Sequence, residues 1–108
     1  MNKGEIWLVQ LPFSGGKEQA GARPALILAD TKTNVAIILP FTSAMLARRF
    51  DFTLSIPPSP KNGLASESVA LIFQTRAIDK KRLVRKIGLL EESYLGKINN
   101  MLRDLLKL

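Results

Sequence analysis

The chain has no cysteine and no histidine among its 108 residues. The first absence excludes a disulfide framework and a thiolate zinc site, and the two together remove the commonest metal ligands. Without histidine the usual general base near neutral pH is missing, so any catalysis must run on other side chains, and no metal or cofactor is expected. No apolar run approaches the roughly 18 residues that a membrane helix requires, so no membrane partner is expected either. The opening "MNKGEIWLVQL" goes straight into a strand-like run, without the basic start, apolar stretch and cleavage site of a secretion signal, which predicts a cytoplasmic protein. Acidic residues are outnumbered, 9 against 16 lysines and arginines, and the net charge of +7 points to a polyanionic partner, most commonly nucleic acid.

What is present describes a single domain of continuous composition, 46% hydrophobic, without internal repeats. "GEIWLVQL", residues 4–11, reads as a first strand running into Pro12, with Trp7 packed in the core or a dimer contact. "PFSGGKEQAGA" follows as a long loop whose Gly15, Gly16 and Gly21 permit unusual backbone angles. "PALILAD" and "NVAIILPF", joined by the polar turn "DTKTN", form an antiparallel pair. In "RFDFTLSI" the residues Phe50, Phe52, Leu54 and Ile56 alternate with polar partners, which predicts a strand with all four on the core face. "PPSPKNG" stops it; "SESVALIFQ" is a further strand, "RAIDKKR" a charged turn or short helix, and "LVRKIGLL" the last strand.

In the C-terminal "EESYLGKINNMLRDLLKL" the period changes, and Leu95, Ile98, Leu102, Leu105 and Leu106 fall on one helical face. Glu91 and Glu92 at its start and Lys107 at its end complement the helix dipole. Gly96 costs this helix about 1 kcal/mol relative to alanine, and no strong N-cap precedes it. The predicted fold is mainly β with a C-terminal helix: a small, strongly bent antiparallel sheet or barrel flanked by that helix.

Two motifs carry a resemblance that covers almost the whole chain. The pattern Gly-x-Glu-Gln-x-Gly-x-Arg-Pro is matched by Gly16, Glu18, Gln19, Gly21, Arg23 and Pro24, directly after the first strand. Gln-x-Arg followed by "IDK-x-RL" is matched by Gln74, Arg76 and "IDKKRL" from Ile78 to Leu83. In both the chain resembles the MazF/PemK family of bacterial toxin endoribonucleases. The resemblance implies an SH3-like barrel assembled as a homodimer, which cuts single-stranded RNA at short preferred sequences and is silenced by a cognate antitoxin. It further implies that Arg23 and Thr42 carry most of the chemistry, with the family's glutamate at Glu18; Lys17, Gln19, Ser43, Gln74, Arg76 and Lys80 are the candidate RNA contacts beside them.

Metal-free RNA cleavage needs a group to take the 2′-hydroxyl proton, a group to stabilise charge on phosphorus, and a proton for the leaving oxygen. Arginine suits the second task, since its planar fork holds two phosphate oxygens at once. Pro24 fixes its own φ and biases Arg23 towards an extended backbone, which aims the side chain. Thr42 and Ser43 offer hydroxyls at a strand end; for Thr42 the competing role is capping a turn. Glu18 accepts the proton, orients Arg23, or is a solvated loop glutamate. Residues 76–86, "RAIDKKRLVRK", hold six basic residues against Asp79, which makes them either a phosphate track or a solvated strand end. The antitoxin expected from this charge is an acidic, partly disordered segment. Two rival classes are a gyrase-poisoning toxin resembling CcdB, whose Trp-Gly-Ile ending is replaced here by "RDLLKL", and a non-catalytic nucleic-acid or antitoxin-binding module.

Overall fold

The apolar alternation of the N-terminal half folds into a sheet that carries a core on each face. A computed structural model describes residues 1–11 and 21–108. They form the strands β1 (Glu5–Gln10), β2 (Ala22–Asp30), β3 (Val35–Thr42), β4 (Thr53–Ile56), β5 (Ser68–Leu71), β6 (Arg76–Asp79) and β7 (Leu83–Leu89), and the helix α1 (Glu92–Leu106). Every pairing is antiparallel, in the order β4-β5-β3-β2-β1-β7, with β6 added to β3. On one face Ile6, Leu26, Leu39 and Phe41 pack with Ile98 of the helix; on the other lie Val9, Ala25, Ile27, Ala36, Ile38 and Ile78. Two covered faces explain why β2 and β3 read as continuous apolar runs. The antiparallel β sheet with its C-terminal helix is as expected, but among the described residues no ladder joins β7 to β4 or β6, so the bent sheet is not closed into a barrel.

Strand β3 changes partner along its length. Val35–Ile38 pair with β6, whereas Phe41 and Thr42 pair with Ala70 and Val69 of β5. "RAIDKKR", expected as a turn or short helix, is therefore strand β6 followed by the single 3₁₀ turn Lys80–Arg82. Its one buried side chain, Ile78, gives too faint an apolar signal to mark a strand.

The expected four-residue alternation in "RFDFTLSI" also fails at its start. Phe52 has φ 60°, in the left-handed region, and this irregularity precedes β4. Phe52, Leu54 and Ile56 reach the core, while Phe50 is exposed. Trp7 is half-buried against the second core and its Nε1 donates to Glu5 Oε1 at 2.9 Å, in keeping with a packing role.

Helix α1 packs through Leu95, Ile98, Met101, Leu102 and Leu105, whereas Leu106 is 58% exposed and lies off that face. Lys107, in the left-handed region with φ 62°, closes it. Among the described residues no helix is long and apolar enough to cross a membrane.

Glu91 occupies the N-cap position without capping, because its carboxylate serves another purpose. Ser59 Oγ donates to its Oε2 at 2.6 Å and Asn62 Nδ2 to its Oε1 at 3.2 Å. Asn62 is fully buried; its Oδ1 accepts from the Ser59 and Leu64 amides, both at 3.0 Å, and its Nδ2 donates to the Pro57 carbonyl at 3.0 Å. One side chain thus organises the loop between β4 and β5 and ties it to the helix.

Burial pushes the Glu91 carboxyl up, but the Ser59 hydroxyl, its own backbone amide, the Asn62 amide and the Lys61 charge outweigh burial and hold it below the usual carboxylate range. A folded-state value below the unfolded one stabilises the fold above the unfolded value, and that stability is lost as pH falls through the folded value. Glu91→Gln is therefore expected to lower the urea midpoint near neutral pH, with the gap to wild type closing below about pH 4. A gap unchanged from pH 7 to pH 3 would contradict this role.

Candidate active site

The β2–β3 ladder stops at Ala25 opposite Pro40. Neither Pro24 nor Pro40 has an amide hydrogen to extend it, so the two strand ends part where a further rung would form. Beyond that point β2 continues along β1, with Arg23 opposite Val9, while β3 turns to β5. The opening is a cleft of about 310 Å³ lined by Ala22, Arg23 and Pro24 of β2, Phe41, Thr42 and Ser43 at the end of β3, and Ala65, Ser66 and Ser68 leading into β5.

Arg23 and Thr42, assigned to the chemistry from sequence, thus meet at one cleft although 19 positions separate them (42 − 23). Arg23 is half-buried within the strand itself rather than in the preceding loop. Thr42 Oγ1 accepts the Ala44 amide at 3.1 Å, the turn-capping bond anticipated as its structural role. A hydroxyl that accepts from the backbone keeps its own hydrogen to donate, so the cap and a phosphate contact are compatible. Ser43 is exposed on the same wall.

Other sequence-assigned residues lie elsewhere. Lys17, Glu18 and Gln19 fall outside the described residues. Gln74 and Arg76 are exposed but do not line the cleft; Arg76 pairs with Ile38, four residues from Thr42, or about 13 Å along the strand. Lys80 is held at 2.6 Å by Asp30, whose carboxyl this bond pulls below its usual range. Asp30 closes the end of β2 away from Arg23, about 20 Å along the strand, so Lys80 does not sit beside the cleft.

Two cleft residues were not picked out from sequence. Ser66 and Ser68 flank Glu67 in "SES", and only the tertiary fold sets them opposite Arg23. Ser68 is buried, with its hydroxyl donating to the Ser66 carbonyl at 3.1 Å, which stiffens that wall. The Arg82 guanidinium reaches the Gln10 carbonyl at 3.5 Å, and Gln10 pairs with Ala22 of the cleft. Arg82 is thus tied to the end of β1 that runs beside Ala22 of the cleft.

A half-buried arginine sharing an open cleft with the hydroxyl residues Thr42, Ser43 and Ser66 on a basic protein suits a phosphodiester better than a purely apolar ligand. The family model for PemK-like, MazF-like toxins of type II toxin–antitoxin systems matches residues 2–106. The chain is 33% identical over 112 residues to Endoribonuclease PemK of Escherichia coli, covering 94% of this chain and 82% of that protein. It is 30% identical over 106 residues to Endoribonuclease MazF of Staphylococcus epidermidis, covering 94% of this chain and 88% of that one. The crystal structure of MazF (Form-I) from Deinococcus radiodurans aligns with a TM-score of 0.75 at 26% identity, over 100% of this chain and 97% of that one. The chain belongs to the PemK-like, MazF-like toxin family of type II toxin–antitoxin systems.

Proposed function

We infer that this protein is an endoribonuclease toxin that inhibits translation by cutting single-stranded RNA at preferred sequences, without a metal, through attack of the neighbouring 2′-hydroxyl. The observation that carries the reading is the meeting of Arg23 and Thr42 at one open cleft in a chain of this family.

In this reading the 2′-oxygen bonds to phosphorus and the bond from phosphorus to the 5′-oxygen breaks, leaving a 2′,3′-cyclic phosphate and a 5′-hydroxyl. Negative charge builds on the two non-bridging oxygens, and the Arg23 guanidinium meets it with paired hydrogen bonds. Thr42 donates its hydroxyl hydrogen to one of the same oxygens, its rotamer fixed by the Ala44 amide. The Glu18 carboxylate takes the 2′-hydroxyl proton, the task histidine performs elsewhere. No carboxylic acid or lysine lines the described cleft, so water protonates the leaving oxygen.

A second chain completes the picture in two ways. The protein acts as a homodimer in the cytoplasm, and an acidic antitoxin covers the basic cleft, exchanging solvated charges for pairs and folding as it binds. The test is direct: a long RNA incubated with the purified protein in EDTA is expected to yield fragments with cyclic phosphate and 5′-hydroxyl ends at a recurring short sequence. RNA left whole in that mixture would overturn the reading.

A further inference from the structure

Beside the cleft lies an apolar patch that neither the core nor the proposed chemistry uses. Phe50 and Phe73 are 46% and 40% exposed, with ring centroids 5.7 Å apart and planes tilted by 58°. The Arg49 guanidinium lies 4.7 Å from the Phe50 centroid. The 3₁₀ turn Met45–Arg49 before them buries none of its side chains, and its Leu46 is 77% exposed. Two neighbouring phenylalanines held in water with a cation on one ring form a surface with something still to cover.

The patch is continuous with the cleft. Thr42 and Ser43 of the cleft wall lead through Ala44 into that 3₁₀ turn. Thr42 pairs with Val69, and Phe73 stands four residues further on, at most about 13 Å along the chain. A strand held at the cleft by one phosphate reaches the rings within a few nucleotides.

We propose that Phe50 and Phe73 form a stacking platform for one unpaired base of the bound RNA strand, with Arg49 over the Phe50 ring and Gln74 at the platform's edge. The proposal rests on the RNA reading above and extends it to a specificity-determining subsite. Stacking on a phenylalanine favours any flat base, purines most by area, and the exposed Gln74 amide supplies the donor and acceptor that discriminate among them. Charge favours RNA over a second copy of this chain. Arg48 and Arg49 are exposed directly before Phe50 and Arg76 three residues after Phe73, against the single acid Asp51 in these stretches, so a polyanion complements the patch whereas self-association would bring like charges together.

The experiment uses the full protein and a 2′-O-methyl RNA carrying 2-aminopurine, which cannot be cut and whose fluorescence falls on stacking. Wild type is expected to quench the probe when it sits a few nucleotides from the preferred cleavage point. Phe50→Leu with Phe73→Leu keeps apolar volume and removes the rings; it should abolish that quenching and raise Kd and KM about tenfold, within the range alanine substitution gives for a stacked base. Its kcat and melting temperature should stay near wild type. Unchanged quenching and KM in the double variant, with wild type binding and cutting normally, would overturn the platform alone. A weakened dimer in sedimentation with quenching unchanged would make the patch a contact between copies and also overturn it. A wild-type protein that neither binds nor cuts RNA would overturn the RNA reading itself.

Discussion

Arg23→Ala is expected to lower the rate of RNA cleavage by about 10²–10³-fold or more, the loss that follows removal of a group aimed at transition-state charge. The fall should appear in kcat, because the charge Arg23 meets develops mainly after binding. Arg23→Lys should recover only a small part, since an ammonium replaces two parallel hydrogen bonds with one point charge. The competing explanation is that Arg23 merely holds the strand end together. That role would show as a lowered melting temperature, with activity per folded molecule unchanged. Cleavage of single-stranded RNA, measured well below the melting temperature alongside circular dichroism, separates the two. Activity of Arg23→Ala within tenfold of wild type would remove Arg23 from the chemistry and leave the cleft without its charge-stabilising group.

The parts of the fold that were legible are those where side-chain pattern and burial coincide. β2 and β3 are apolar on both faces because both faces are covered, and α1 shows its packing stripe through Leu95, Ile98, Leu102 and Leu105. Where backbone pairing does the work, the pattern falls silent. β6 holds its place by pairing with β3, and among its exposed or half-exposed neighbours only Ile78 is buried. At Phe50 the alternation misleads, because the left-handed backbone at Phe52 ends the period that assigned both rings to one face.

The site divides in the same way. Arg23 and Thr42 were legible through motif position, and their meeting follows from the strand register and the two prolines that end the ladder. Ser66 and Ser68 carry no local signal, since a serine in a polar turn is ordinary until the fold sets it against a cleft. Lys80 looked like a phosphate contact within a basic run, yet its partner Asp30 lies 50 positions away, a pairing no local reading of charge reveals.

Gly88→Ala should be one of the two most damaging glycine-to-alanine changes among the described residues, beside Gly63, whose added Cβ would meet the Ile87 carbonyl. A Cβ at Gly88 would lie 2.5 Å from the Lys61 carbonyl oxygen and closer still to the carbonyl of Asn62. Those atoms are backbone, and the loop that carries them is fixed by the buried Asn62 side chain and by the Leu89 amide donating to the Lys61 carbonyl at 2.9 Å. Neither side yields, so the clash is relieved only by lifting the loop off β7, with loss of the Asn62 and Glu91 hydrogen bonds. The expected cost is about 3 kcal/mol or more, a large share of the roughly 5–15 kcal/mol that holds such a domain together. The melting temperature should fall by about 10–20 °C. Gly96→Ala is the control: nothing lies within 4 Å of its added Cβ, and as an exposed helix position it should gain about 1 kcal/mol. The loop from Pro57 leads through Leu64 directly to Ala65 and Ser66 of the cleft wall. Lifting it displaces that wall, so Gly88→Ala should cut RNA more slowly even at temperatures where it remains folded. Equal melting temperatures for the two alanine variants would mean that the loop is not clamped on β7 and that the cleft's third wall is held by something else.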